Sequence, residues 1–213
     1  MNLKLRTLLS EYSKKEIKIK NRLKHFRSIW NQPDKKIFSE LCFCICTPQS
    51  KAVTSDKAIS HLEKTGDLFK GSVVKIRAGL EGVRFPNNKS NYILKARKLF
   101  TAKGAIKIKN KINRDNVFET REWFVKNVTG IGFKEASHFL RNIGFGQDLA
   151  ILDVHILKNM LRYKVIKEIP KSISRTKYLF LENKFKKFAE KIKIPVGELD
   201  LLFWSAETGD IFK

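Results

Sequence analysis

Apolar residues recur along this chain at three- and four-residue spacing almost throughout, the period of a helix buried on one side. NLKLRTLLSEY and EIKIKNRLKHFRSIW predict two amphipathic helices near the N-terminus. PDKKIFSELCFCIC begins with Pro33 at a plausible first helical turn and becomes apolar enough for a core helix. A further start is expected at TPQSKAVTSDKAISHLEK, with Thr47 as N-cap and Pro48 just inside. GSVVKIRAGL reads as a short helix, NNKSNYILKARKLF as a basic amphipathic one, and NRDNVFETREWFVKNV as one capped by Asn113 or Asp115. KGAIKIKNKI alternates like a strand, but with no partner strand nearby it is read as a linker. After the stretch 128–142 come DVHILKNML, ISRTKYLFLENKFKKFAEKI and PVGELDLLFWSAE. About ten helices and no convincing sheet predict an all-α fold.

The 213 residues suffice for one large or two small domains, and 42% hydrophobic with 11% aromatic content is globular. The formal charge of +23 points to a polyanion, most often nucleic acid. The excess is uneven. Residues 1–50 carry 11 Lys or Arg against 4 Asp or Glu, residues 51–112 carry 15 against 4, and residues 161–213 carry 12 against 7. Residues 113–160 are balanced at 6 against 6, as suits a site of specific charges within a basic frame. Cys42, Cys44 and Cys46 lack the spacing of a zinc or iron–sulfur site, so no metal or cofactor is expected and buried thiols in a reducing cytoplasm are. Neither a secretory leader nor an apolar run of about 18 residues is seen, so no membrane association is expected.

The candidate chemistry lies in VTGIGFKEASHFLRN, residues 128–142. Gly130 and Gly132 flank Ile131 between two helical patterns, and Lys134 follows. Glycine permits a tight turn and close approach of the backbone, and the amides of the following helix start favour an anion. Such a hairpin holds a phosphate backbone without reading sequence, although an ordinary helical hairpin with glycine caps has the same pattern. Nineteen residues after Lys134, ILDVHIL places Asp153 at the start of another helix. There it is also a good N-cap, and one carboxylate can both cap and catalyse. His155 lies two residues on, as a contact to DNA or to the aspartate, or as a structural histidine.

These paired motifs resemble the helix-hairpin-helix DNA glycosylases over roughly residues 35–213. The resemblance aligns Lys134 with the lysine of the bifunctional glycosylase/AP lyases and Asp153 with their aspartate. It implies a two-lobed helical fold with DNA in the cleft, residues 1–32 plus 150–213 forming one lobe and 33–149, with the hairpin at 113–144, the other. The chemistry is consistent. Cleaving an N-glycosidic bond builds positive charge on the sugar, which a carboxylate stabilises. A nucleophilic amine must first lose its proton, which desolvation and the positive end of a helix favour. The resulting imine acidifies the C2′ proton and opens β-elimination of the 3′ phosphate.

Excision requires base extrusion and a filler for the stack. Gln49 is aligned with a gap-filling glutamine of the endonuclease III-like enzymes, and Arg84 with Phe85 offers an aromatic wedge or a buried loop anchor. The ending ELDLLFWSAETGDIFK resembles that of the second, archaeal-type family of 8-oxoguanine glycosylases, matching at Trp204, Glu207, Thr208, Gly209 and Lys213. That resemblance implies a base-reading role for Lys213, whose α-carboxylate and ammonium offer an acceptor and a donor. Trp204 is expected to stack on the base or to sit in the core. The expected protein is a monomeric, cytoplasmic, nucleoid-associated prokaryotic enzyme that acts without a cofactor on duplex DNA containing 8-oxoguanine. A glycosylase for another lesion and a non-enzymatic DNA-binding module remain open.

Overall fold

The computed structural model describes residues 3–213. In chain order the helices are α1 (Leu3–Ile29), α2 (Asp34–Cys46), α3 (Ala52–Thr65), α4 (Asp67–Lys70), α5 (Val73–Gly79), α6 (Pro86–Phe100), α7 (Val117–Asn127), α8 (Phe133–Asn142), α9 (Val154–Arg162), α10 (Arg175–Ile192) and α11 (Val196–Thr208). Two antiparallel two-residue strands, β1 (Thr101–Ala102) and β2 (Ala105–Ile106), follow α6 and lead into a 3-10 turn at Ile108–Lys111. The fold is all-α. Among the described residues no helix is long and apolar enough to cross a membrane.

Several boundaries differ from the sequence expectation for local reasons. The two N-terminal patterns are one continuous 27-residue helix, since SEYSKKE contains neither glycine nor proline to break it. Thr47 closes α2 instead of opening α3, its hydroxyl donating to the Cys44 carbonyl at 2.9 Å. α3 therefore begins four residues later than expected, after Lys51. Asn116, not Asn113 or Asp115, caps α7 by accepting from the Glu119 N–H. KGAIKIKNKI, residues 103–112, is not wholly a linker: Gly104, at φ +77°, turns the chain so that Ala105–Ile106 pairs with Thr101–Ala102 in a minimal hairpin.

Buried apolar side chains form two clusters. One runs from Ile29 to Leu149 and is built from α2 to α8, with Phe38, Phe124 and Phe139 fully enclosed. It holds Cys42, Cys44 and Cys46, all buried and unbridged. The other draws on α1 and on residues 150–211, around Phe185 and Phe203. Polar pairs stitch the clusters together. Arg121 on α7 makes a bidentate pair with Glu182 on α10 at 2.6 and 2.9 Å, both almost wholly buried, and Glu182 also accepts from the Ala150 N–H at 3.0 Å. Removing one partner of such a pair strands the other charge in a low-dielectric interior. Glu182→Ala is expected to cost about 3–5 kcal/mol of unfolding free energy, measured by urea titration. The paired change Arg121→Met with Glu182→Leu should recover most of it. An unchanged midpoint for the single variant would show that the pair does not hold the clusters together.

Candidate active site

The hairpin between α7 and α8 is built as its glycines demand. Gly130 lies in the left-handed region at φ +86°, and a Cβ there would come within 2.4 Å of the Tyr92 ring. Conformation and packing thus both require glycine. Ile131 is buried, so its side chain belongs to the core, while Thr129 and Gly130 of this turn are exposed. The Gly132 N–H is taken by Glu135 Oε2 at 3.1 Å, which reaches back over the first turn of α8. Lys134 sits in that first turn, its side chain 25% exposed and its Nζ 3.5 Å from Glu135 Oε1.

Asp153 is the N-cap of α9. Its Oδ1 accepts from the His155 and Ile156 N–H groups at 2.9 and 2.8 Å. The capping expected from sequence is present, and it orients the carboxylate from the helix start. The preceding strand of chain is tied in turn, with the Asp153 N–H donating to the Ile151 carbonyl at 2.6 Å.

α8, α9, the α2–α3 connection and the segment after α11 converge on a cavity of about 710 Å³ at the junction of the two clusters. Its lining includes Lys134, Asp153, His155, Gln49, Trp204 and Lys213, residues up to 164 positions apart in sequence. Trp204 is only partly buried, so it is a wall of the cavity and not a core residue. Gly130, Ile131 and Gly132 do not line it, and neither do Arg84 and Phe85. Phe85 is 49% exposed, at φ +57°, with the Arg84 guanidinium 5.3 Å from its ring. It is therefore an exposed aromatic and not a buried loop anchor. Arg84 is joined to the cavity rim through its N–H, which donates to Ser50 Oγ at 2.9 Å. Gln49 is not at a helix start. It occupies the left-handed region, φ +56°, midway between α2 and α3.

Several residues of the site carry no motif. Lys89 on α6 is buried and donates to the Cys46 and Pro48 carbonyls, both at 2.7 Å, and to Ser50 Oγ at 3.1 Å. It fastens the loop bearing Gln49. Arg141 on α8 pairs with Asp200 on α11 at 2.7 Å. Burial drives the Asp200 carboxyl up to about 6 against the pull of Arg141, with the neighbouring Asp153 charge adding to the rise. His138, one turn after Lys134, is buried, with the main chain of Lys213 beside its ring. Burial and the nearby Arg141, Lys134 and Lys213 hold it well below the usual histidine range, so it is neutral. The expectation for Lys213 changes most. Its ammonium is not free to meet a base, because Glu40 Oε1 and Asp56 Oδ1 hold it at 3.0 and 2.7 Å and it lies 4.6 Å from the centre of the Phe43 ring.

A family profile described as 8-oxoguanine DNA glycosylase matches residues 19–194. The chain belongs to the 8-oxoguanine DNA glycosylase family. It is 46% identical over 204 residues to an 8-oxoguanine DNA glycosylase/AP lyase of Fusobacterium nucleatum, covering 95% of this chain and 94% of the relative. Against the enzyme of the same name from Methanocaldococcus jannaschii, identity is 37% over 213 residues, with coverage of 96% and 97%. Among solved structures, the 8-oxoguanine DNA glycosylase of Thermotoga maritima superposes with a TM-score of 0.86 at 33% identity, over 98% of both chains. The M. jannaschii glycosylase/lyase in complex with a 15mer DNA containing 8-oxoguanine gives a TM-score of 0.86 at 35% identity, over 99% of this chain and 100% of that one. Membership of this 8-oxoguanine DNA glycosylase family rests on matches that span both clusters.

Proposed function

We propose that this protein excises 8-oxoguanine from duplex DNA and nicks the abasic product by β-elimination through a Schiff base on Lys134. The observation that carries the reading is the convergence of an amine, Lys134, and a capping carboxylate, Asp153, in one cavity walled by Trp204 and large enough to admit an extruded nucleotide. As the N-glycosidic bond lengthens, positive charge builds on the sugar and Asp153 stabilises it. The Lys134 nitrogen forms the new bond to C1′ as the base departs, and the resulting imine acidifies C2′. Loss of that proton expels the 3′ phosphate.

The other residues take roles around this centre. The main chain at Gly130–Gly132 meets a phosphate, Gln49 and Phe85 are placed to fill the vacated stack, and Arg84 supports them. His155 lines the cavity beside Asp153, Trp204 stacks on the extruded base, and Lys213 faces its edge. DNA lies across the cleft between a lobe of residues 1–32 plus 150–213 and a lobe of residues 33–149, a reading supported by the two buried clusters, although Ile29 packs in the cluster of the second lobe. Such a substrate places the protein on the chromosome, in the cytoplasm of a prokaryote.

Borohydride trapping on a duplex with one 8-oxoguanine tests the reading. A covalent protein–DNA adduct is expected on that duplex and not on its undamaged counterpart. Duplex binding without an adduct would leave the hairpin as a clamp only. The basic flanks give a second test. With several lysines on phosphates, log affinity falls linearly with log salt at about 0.9 per contact. A flat response in a filter-binding titration would contradict a phosphate role for the +23 charge.

A further inference from the structure

Lys89 is a buried ammonium that the chemistry proposed above does not use. Its three donors go to neutral oxygens, the Cys46 and Pro48 carbonyls at 2.7 Å and Ser50 Oγ at 3.1 Å. The buried cations Arg121 and Arg141, by contrast, each hold a carboxylate. Burial pulls the Lys89 ammonium below the ordinary lysine range, and the charges of Lys134 and Arg84 pull the same way. An apolar side chain of similar length would pack there without that cost. What the ammonium provides is a fixed geometry between two segments.

Those segments carry the two stack fillers. The Lys89 N–H donates to the Phe85 carbonyl at 3.1 Å, so the main chain of this residue fixes Phe85 while its side chain fixes the turn that bears Gln49. Ser50 closes the ring. Its Oγ accepts from Lys89 Nζ and also from the Arg84 N–H, at 2.9 Å and 34 positions away in sequence, while its own N–H donates to the Thr47 carbonyl at 3.0 Å. Gln49 and Phe85 are both exposed, and both lie in the left-handed region, at φ +56° and +57°. Residues other than glycine persist there where their surroundings hold them. The closed ring through Lys89 and Ser50 is what holds this pair. Two separately mobile loops would each lose conformational freedom on entering DNA, whereas a latched pair has lost it at folding.

We propose that Lys89 and Ser50 are positioning residues for base extrusion, which latch the 47–50 turn to the Arg84–Phe85 segment so that Gln49 and Phe85 enter the DNA stack as one rigid unit. This rests on the excision activity proposed above. It makes the two fillers a coupled pair, and it gives the buried lysine of α6 a part in the reaction without contact to the substrate.

The experiment measures single-turnover excision from an 8-oxoguanine duplex by Gln49→Ala, Phe85→Ala and the double variant, in the wild-type chain and again in a Ser50→Ala background. Ser50→Ala removes the shared oxygen but no charge, whereas Lys89→Met would also change the field at Lys134. Fillers that enter as one unit give losses that fail to multiply, so the double variant should fall short of the product by about 5-fold or more. With the latch open, the two losses should multiply to within about 2-fold. Ser50→Ala alone should slow excision by about 3- to 10-fold, the weight of one neutral hydrogen bond. Ser50→Thr, which keeps the oxygen, should retain most of the rate. Borohydride trapping on a preformed abasic site, which has no base to extrude, should proceed in Ser50→Ala as in wild type. Losses that multiply in the wild-type chain, or a coupling unchanged by Ser50→Ala, would overturn the latch. An equal loss on the abasic site would show general damage to the cavity and overturn it as well. Failure of the excision reading itself would be seen separately, as a wild-type protein that neither excises nor traps.

Discussion

Lys134→Gln is expected to abolish the covalent adduct on an 8-oxoguanine duplex while leaving duplex binding largely intact. Glutamine removes the amine proposed to form the imine, and it is nearly as good a helix former as lysine. The hairpin has little reason to change. Among the described residues Lys134 pairs only with Glu135, at 3.5 Å and at a partly exposed position, and the bond from the Gly132 N–H to Glu135 does not involve the lysine. Other lysines near the cavity are poor substitutes. Lys213 is held between two carboxylates, and Lys89 is spent on two carbonyls and a hydroxyl. Gel analysis after borohydride reduction checks the outcome. An adduct formed by the glutamine variant would place the nucleophile elsewhere.

Asp153→Asn should slow base excision by about 10²- to 10⁴-fold, the usual scale for one electrostatic or acid–base group. The substitution separates the two jobs of the side chain. Asparagine is as good an N-cap as aspartate, and its carbonyl oxygen can still accept from His155 and Ile156. The charge facing the sugar is lost, while the start of α9 is kept. Single-turnover rates alongside a thermal melt distinguish the effects. A folded and fully active asparagine variant would reduce Asp153 to a helix cap.

Much of this site was legible in one sequence because its parts are local. The hairpin glycines, the lysine just inside α8 and the aspartate heading α9 each follow from a turn or a cap within a few residues. Less was legible where partners are distant. Nothing around Lys89 announces that its ammonium will fasten a loop more than 35 residues earlier. Glu40 and Asp56 read as ordinary helix charges until the fold brings Lys213 between them. The same limit explains Gln49. Thr47 and Pro48 are good helix-start residues, but the hydroxyl of Thr47 turned back to close α2, and a buried lysine set the following loop. Ile131 shows the converse, since a residue inside a DNA-facing motif spends its side chain on the core.

The three thiols of α2 bear on the conditions in which such a protein works. Its lesion is a product of oxidised guanine, so the enzyme is needed when peroxide is abundant. Peroxide attacks the thiolate, not the thiol. Burial pushes Cys42 and Cys44 well above the ordinary thiol range and Cys46 up to about 12, and none is exposed to a reagent. The wall of residues that carries Glu40 and Phe43 is therefore chemically inert to the stress that generates its substrate.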